Sequence, residues 1–413
     1  MVAGAKNAAL PLMAACLITD ETLKISNVPH LSDITTMANL LVHMGVDLSI
    51  ESLKEDENFQ SGRVLCLTAK NISEHRAPYD IVRRMRASVI VLGPLLARFG
   101  EAEISLPGGC AIGARPIDYH LMAFEKMGAK IDLEEGYVKA KVEGGRLKGA
   151  DITFPTVSVG ATENVLIAAT LAKGKTILRN AACEPEVGDL ANMLNSMGAK
   201  ITGIGTHTLE IEGVEKLHGT EYRVIADRIE AGTYLAAAGA TGGDIEVVGI
   251  SPDIMSSTLE VFEKMGMKIE RKENSIRAIS TTPLLAIKVS TQPHPGFPTD
   301  MQAQISTLMC IAEGTSIMEE NIFENRFMHV PELQRLGANI VVDGNFLSIT
   351  GIKNFKAAEV MATDLRASVC LILAALRAEG TTGINRVYHL DRGYERIEEK
   401  LSALGATIYR TKD

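Results

Sequence analysis

No Cys-x-x-Cys pair occurs among the six cysteines, and they are spread from Cys16 to Cys370. That spacing argues against a zinc site and against a disulfide framework; no cofactor is expected. Cys16, Cys310 and Cys370 lie among Ala, Leu, Ile and Met, where a buried inert thiol is the ordinary reading. No apolar run approaches membrane-spanning length, and Met1 is followed by a polar stretch rather than a basic segment with an apolar core, so a cytoplasmic location is expected. Nor is there a basic block or interleaved aromatics. The net charge is −9, which disfavours nucleic acid as a partner and leaves any anionic substrate to local Arg/Lys clusters.

What the sequence does contain is a repeat. At 413 residues and 46% hydrophobic side chains it exceeds what one core usually organises. One phrase, a helix end followed by Met/Leu-Gly and a strand, recurs at Gly45, Gly128, Gly198, Gly266, Gly337 and Gly405, with spacings of 83, 70, 68, 71 and 68 residues. Each glycine suits the left-handed residue that ends a helix. Second helices are expected at Asn7 to Cys16, Arg86 to Ala97, Glu163 to Ala172, Glu230 to Ala238, Gln302 to Ala312 and Arg366 to Arg377. The unit therefore reads helix, strand, helix, strand, strand. Six such α+β units group economically as three and three, with the boundary near Glu221 to Ile229. The longer first interval is assigned to a hairpin or loop at Glu51 to Arg63.

Several motifs bear chemistry. The segment from Leu106 to Pro116 has three glycines between two prolines and reads as a hinged loop carrying Cys110, with Arg115 five residues on. A guanidinium nearby favours the thiolate, although an incidental cysteine in a surface loop has the same appearance. Lys6 and Asn7 open the first Ala/Leu-rich helix, where a cation opposes the helix dipole unless an anion sits there; a solvated lysine at a frayed end is the plain alternative. Arg86-Ala87-Ser88 and Arg366-Ala367-Ser368 repeat that oddity at equivalent positions in the two halves, and two such arginines suit a small dianion. Asp300 follows a proline-rich approach to a helix, where an N-cap is its commonest role. Arg326 and His329 lie between apolar residues, with an ion pair to Glu324 as the simple reading.

These residues together resemble the UDP-N-acetylglucosamine 1-carboxyvinyltransferase (enolpyruvyl transferase) family. The motifs are Gly4 to Pro11, the Pro107 to Pro116 loop, Ser158 to Asn164, Phe297 to Gln304, Glu324 to Pro331 and Asp391 to Glu395. The resemblance implies an α+β fold of two domains, each of three repeated units about a pseudo-threefold axis, with substrates in the cleft between them. It implies domains at 6–225 and 226–413, with residues 1–5 the remnant of a segment that crosses into the second domain. Family members begin a strand or two earlier, so an exposed sheet edge and lowered thermal stability are expected.

The activity implied is transfer of the enolpyruvyl group of phosphoenolpyruvate to the 3-hydroxyl of UDP-N-acetylglucosamine, at the start of peptidoglycan precursor synthesis. By resemblance, Lys6, Arg115, Arg326 and Arg366 receive phosphoenolpyruvate. Lys6, Asn7, Arg86, Arg115, Pro116, Ile117, Asp118, Tyr119, Ser158, Val159, Gly160, Asp300 and Ile322 line the nucleotide-sugar site. Asp300 is the implied base and Cys110 the implied acid, a thiol that in this family also adds to phosphoenolpyruvate and to the epoxide antibiotic fosfomycin. Lys6 and Arg366 complete the implied catalytic set. The nearest alternatives are the related transferase acting on shikimate 3-phosphate, which lacks the Cys-bearing loop, and a non-catalytic paralogue that only binds the sugar nucleotide.

Overall fold

A computed structural model describes the chain except for residues 52–61, 84, 107–116, 282 and 412–413. The described residues form two compact units, one of 3–225 and one of Met1–Val2 with 226 onward, each around its own apolar core. All six repeat glycines have positive φ, between 90° and 103°, and each stands at the end of a helix before the chain changes direction. Only a residue without a Cβ adopts that conformation cheaply, which is why the phrase recurs with glycine.

In 3–225 the three units build three four-stranded sheets. Their strand orders are Glu221–Arg223, Thr22–Val28, Arg63–Thr68, Asp47–Glu51; then Arg76–Ala77, Glu101–Ser105, Tyr137–Val142, Ala129–Glu134; then Asp151–Thr153, Lys175–Arg179, Thr208–Glu212, Lys200–Thr202. The first strand in each sheet runs parallel to its neighbour and the other pairings are antiparallel. Alternation follows the pleat. In Thr208–Glu212, Leu209 and Ile211 are buried while Thr208 and Glu210 are only half-buried.

The other unit repeats the plan, with sheets of three, four and two strands among the described residues. Its three-stranded sheet begins with Asp244–Val248, and the Val2 N–H donates to the Val248 carbonyl at 2.9 Å. Among the described residues no helix is long and apolar enough to cross a membrane.

The helices that matter most are buried ones: Lys6–Ala14, Leu92–Phe99 with its leading 3-10 turn Arg86–Val91, Val159–Ala169, Arg228–Thr241, Gln302–Met309 and Leu365–Arg377. The last three pack pairwise on one another, and every residue from Ile229 to Ala240 is buried. A helix enclosed on all sides has no polar face to present, hence its Ala-rich sequence. In the first unit, Gly93 lets Leu92–Phe99 approach Val159–Ala169 closely: a Cβ there would lie 2.3 Å from the Asn164 carbonyl oxygen. Among the buried polar exceptions, Lys6 and Arg366 lie at the N-terminal ends of these helices, where the sequence places them.

Candidate active site

In the unit from Ala226 onward, a rigid approach sets up the turn Thr299–Met301, and the helix Gln302–Met309 follows. Asp300 is not a cap. Its Oδ1 accepts from Arg326 at 2.6 Å and its Oδ2 from Arg366 at 2.8 Å. Both arginine side chains are 7% exposed and the aspartate 26%. Burial alone would disfavour the carboxylate, yet Arg366 and then Arg326 outweigh it and hold Asp300 well below the usual carboxylate range.

Each arginine is itself held. Arg326 donates to Thr299 Oγ1 at 3.2 Å and lies over the Phe323 ring, so the Glu324 pairing suggested by sequence proximity gives way to a pairing across 26 residues. Arg366 is the second residue of Leu365–Arg377, whose N-cap Asp364 accepts from the N–H groups of Arg366 and Ala367. Its guanidinium also donates to Tyr394 Oη at 3.2 Å. Buried Glu320 fixes the neighbourhood: one oxygen accepts from Thr291 and from the N–H groups of Ile322 and Phe323, and the other accepts from Thr299 at 2.8 Å. Ile322 and the Asp300 turn are thereby tied to one carboxylate. Two guanidiniums sharing one carboxylate leave positive charge in a nearly dry place, the condition for gripping an anion.

In 3–225 the arrangement differs. Lys6, the first residue of Lys6–Ala14, is buried rather than frayed, and its Nζ lies 3.2 Å from Asp33 Oδ2; Asn7 beside it is exposed. Ser158 caps Val159–Ala169 by accepting from Ala161 N at 3.4 Å, with Val159 and Gly160 half-buried in the first turn. Ile117 precedes the helix Asp118–Lys126; Asp118 is exposed, and Tyr119 Oη meets Thr156 Oγ1 at 3.0 Å.

One buried amide joins these pieces. Asn164 Oδ1 accepts from Gly93 N at 2.7 Å, so its Nδ2 is the donor, reaching the Val89 carbonyl at 3.0 Å and His120 Nδ1 at 2.9 Å. His120 Nδ1 is then an acceptor and the ring proton sits on Nε2. Burial, with the Arg86 charge adding to it, lowers His120 to about 3, so the ring is neutral. Its Nε2 edge lies 3.7 Å from where a Gly160 Cβ would stand. The turn bearing Arg86, the helix opening with Asp118 and Tyr119, and the helix start at Ser158, Val159 and Gly160 are thus brought together.

Cys110, Arg115 and Pro116 lie outside the described residues. Sequence reasoning missed Asp33, Glu320, Tyr394, His120 and Asn164. Tyr394 and Asn164 fall within motifs singled out above, and a polar residue inside an apolar helix was the available signal for Asn164. Asp33 and Glu320 are hard to find from sequence because side chains that they bind lie far off in the chain, Lys6 27 residues from Asp33, and Thr291 and Thr299 29 and 21 residues from Glu320.

Comparison with known proteins fits this geometry. The EPSP synthase (3-phosphoshikimate 1-carboxyvinyltransferase) family matches residues 1–401. A UDP-N-acetylglucosamine 1-carboxyvinyltransferase of Paramagnetospirillum magneticum is 59% identical over all of this chain and 95% of its own length. One from a Psychrobacter species is 56% identical over 99% of this chain and 93% of its own. Among solved structures, the enolpyruvyl transferase NikO from Streptomyces tendae superposes with a TM-score of 0.86 at 25% identity, covering 99% of this chain and 94% of that one. An EPSP synthase from Acinetobacter baumannii shares the fold at a TM-score of 0.74 and 19% identity, covering 99% of this chain and 96% of its own. The chain belongs to the UDP-N-acetylglucosamine 1-carboxyvinyltransferase family, within the wider EPSP synthase fold.

Proposed function

We propose that this chain transfers the enolpyruvyl group of phosphoenolpyruvate to the 3-hydroxyl of UDP-N-acetylglucosamine, releasing phosphate, as a step of peptidoglycan precursor synthesis. The observation that carries this reading is Asp300 set between buried Arg326 and Arg366, in a chain 59% identical to an enzyme of that name. A binder needs no such carboxylate between two cations, whereas a transferase needs both an anion grip and a base.

The reaction is addition then elimination. The sugar oxygen attacks C2 of phosphoenolpyruvate, its proton passes to Asp300, and C3 receives a proton from Cys110. As phosphate leaves C2 of the resulting phospho-ketal, one C3 proton returns to the Cys110 thiolate and the electron pair of that C–H bond re-forms the C2–C3 double bond; the proton held by Asp300 leaves with the phosphate. Lys6, Arg115, Arg326 and Arg366 bear the substrate's carboxylate and phosphate charge, and preorganised cations of this kind supply much of the rate. Asn7, Arg86, Pro116, Ile117, Asp118, Tyr119, Ser158, Val159, Gly160 and Ile322 receive the nucleotide sugar.

Asp300 is a weak base while both guanidiniums rest on it. An incoming carboxylate or phosphate draws their charge away, so its basicity rises when the acid substrate is in place.

Phosphate release measured with each acceptor tests the reading. Release with UDP-N-acetylglucosamine, blocked by fosfomycin and by Cys110→Ser, is expected. Release with shikimate 3-phosphate instead assigns the related activity, and release with neither acceptor leaves only a binder.

A further inference from the structure

We infer that Tyr394 is a positioning residue for the anion grip: its hydroxyl aims the Arg366 guanidinium through a directed hydrogen-bond chain anchored on the helix Arg228–Thr241. The inference rests on the proposed function and names a residue that this function does not otherwise require.

Tyr394 is 2% exposed, so its hydroxyl must find partners inside the protein. It has three: Thr233 Oγ1 at 2.9 Å, Arg366 Nη1 at 3.2 Å and Gln304 Nε2 at 3.4 Å. They come from all three buried helices of this unit, Arg228–Thr241, Leu365–Arg377 and Gln302–Met309. The direction of the chain follows from counting protons. Thr233 donates its single hydroxyl proton to the Ile229 carbonyl at 2.8 Å, so toward Tyr394 it can only accept. The Tyr394 proton therefore points to Thr233. Its oxygen lone pairs face Arg366 and Gln304, both of which can only donate there. The Gln304 amide cannot be turned over, because its nitrogen sits 3.0 Å from the Asp300 main-chain carbonyl, another obligate acceptor.

Arg366 is thus held on two sides by different kinds of group. On one side is Asp300, a charged partner that must change both protonation and contacts during the proposed reaction. On the other is a neutral acceptor whose orientation is locked by Thr233 and Ile229 and which takes no part in proton transfer. When substrate displaces the carboxylate, the bond to Tyr394 keeps the guanidinium where it was. Without it, the side chain must be reordered at each binding event, and that cost falls on the affinity for the anionic substrate.

Tyr394→Phe removes one oxygen and keeps the ring that packs beneath the guanidinium at 5.8 Å. Both KM values and kcat, together with equilibrium binding of phosphoenolpyruvate by calorimetry, are to be measured for wild type, Tyr394→Phe, Thr233→Val and Thr233→Ser. Expected are a rise of about tenfold or more in the KM and dissociation constant for phosphoenolpyruvate in Tyr394→Phe, the scale of one hydrogen bond to a charged group. Thr233→Val should move the same way, Thr233→Ser should restore wild-type values, and the KM for UDP-N-acetylglucosamine should stay within about twofold. Unchanged affinity for phosphoenolpyruvate in Tyr394→Phe overturns the inference, as does an equal weakening of both substrates, which marks general loosening. A wild-type chain that binds phosphoenolpyruvate yet transfers nothing defeats the functional proposal instead, while the binding comparison still decides the role of Tyr394.

Discussion

Lys6 of the unit 3–225 is held by a buried carboxylate, Asp33, much as the arginines of 226–413 are held by Asp300, but elsewhere the two units hold their proposed substrate residues differently. In 226–413, two nearly dry guanidiniums share Asp300, with Thr299 and Tyr394 bonded to them and Glu320 bonded to Thr299. In 3–225, the joint between three elements is neutral: Asn164 spends both amide protons and its oxygen on His120, Val89 and Gly93. Buried charge is costly unless matched, and therefore responsive when a new anion arrives; a satisfied neutral network is rigid and indifferent to it. The charged cluster suits gripping a small reactive acid, and the neutral joint suits holding a shaped surface for a larger sugar nucleotide.

The contrast is broken most forcefully at its charged end. Asp300→Asn should lower turnover by about 10²- to 10⁴-fold, the usual contribution of a positioned base, in steady-state assays at saturating substrates. Wild-type turnover would show the carboxylate to be a structural tie only.

At the neutral end, Asn164→Leu strands the Gly93 N–H and the His120 ring nitrogen together. Loss of about 3 kcal/mol in denaturant unfolding is expected, at 1–3 kcal/mol for each buried group left unpaired. Here stability should suffer far more than the KM for phosphoenolpyruvate.

A third difference is in pH. His120 titrates at about 3 in the folded chain against an ordinary 6.5, so the unfolded state takes up its proton first. The associated stability is complete above pH 6.5 and is lost as pH falls toward 3. Buried Asp189, raised to about 7, has the opposite slope, losing stability as pH rises from 3.8. The informative quantity is therefore wild type minus His120→Gln, which should shrink steadily below pH 6.5 in unfolding titrations. A pH-independent difference would contradict a buried neutral ring.

The smallest effect compares caps. Asp364→Ala, removing two bonds to backbone N–H groups, should cost about 1 kcal/mol, and Ser158→Ala, removing one long bond, about half of that.

What could be read in the sequence divides along physical lines. The six glycines and the buried helices were legible because a left-handed cap and an apolar run are written in adjacent residues. Helix starts were placed within a few residues, though Arg86 begins a 3-10 turn and Val159–Ala169 opens four residues ahead of the expected Glu163. The partners of the site residues were not legible. Asp300 looked like a cap because its local sequence is that of a cap, whereas its role is set by Arg366, 66 residues away. Lys6 looked solvated for the same reason, with Asp33 out of view in the next helix. Resemblance to a family names most of the residues proposed to meet substrate, but not Tyr394, Glu320 and Asn164, which bond to them or to their elements.

Following the reaction by ¹H and ³¹P NMR, with phosphoenolpyruvate and UDP-N-acetylglucosamine supplied together, tests the central claim most directly. The account predicts vinyl protons of a new ether at the sugar 3-oxygen, growing in step with equimolar phosphate. Phosphate without that ether, or phosphoenolpyruvate left unconsumed with both substrates present, would contradict it.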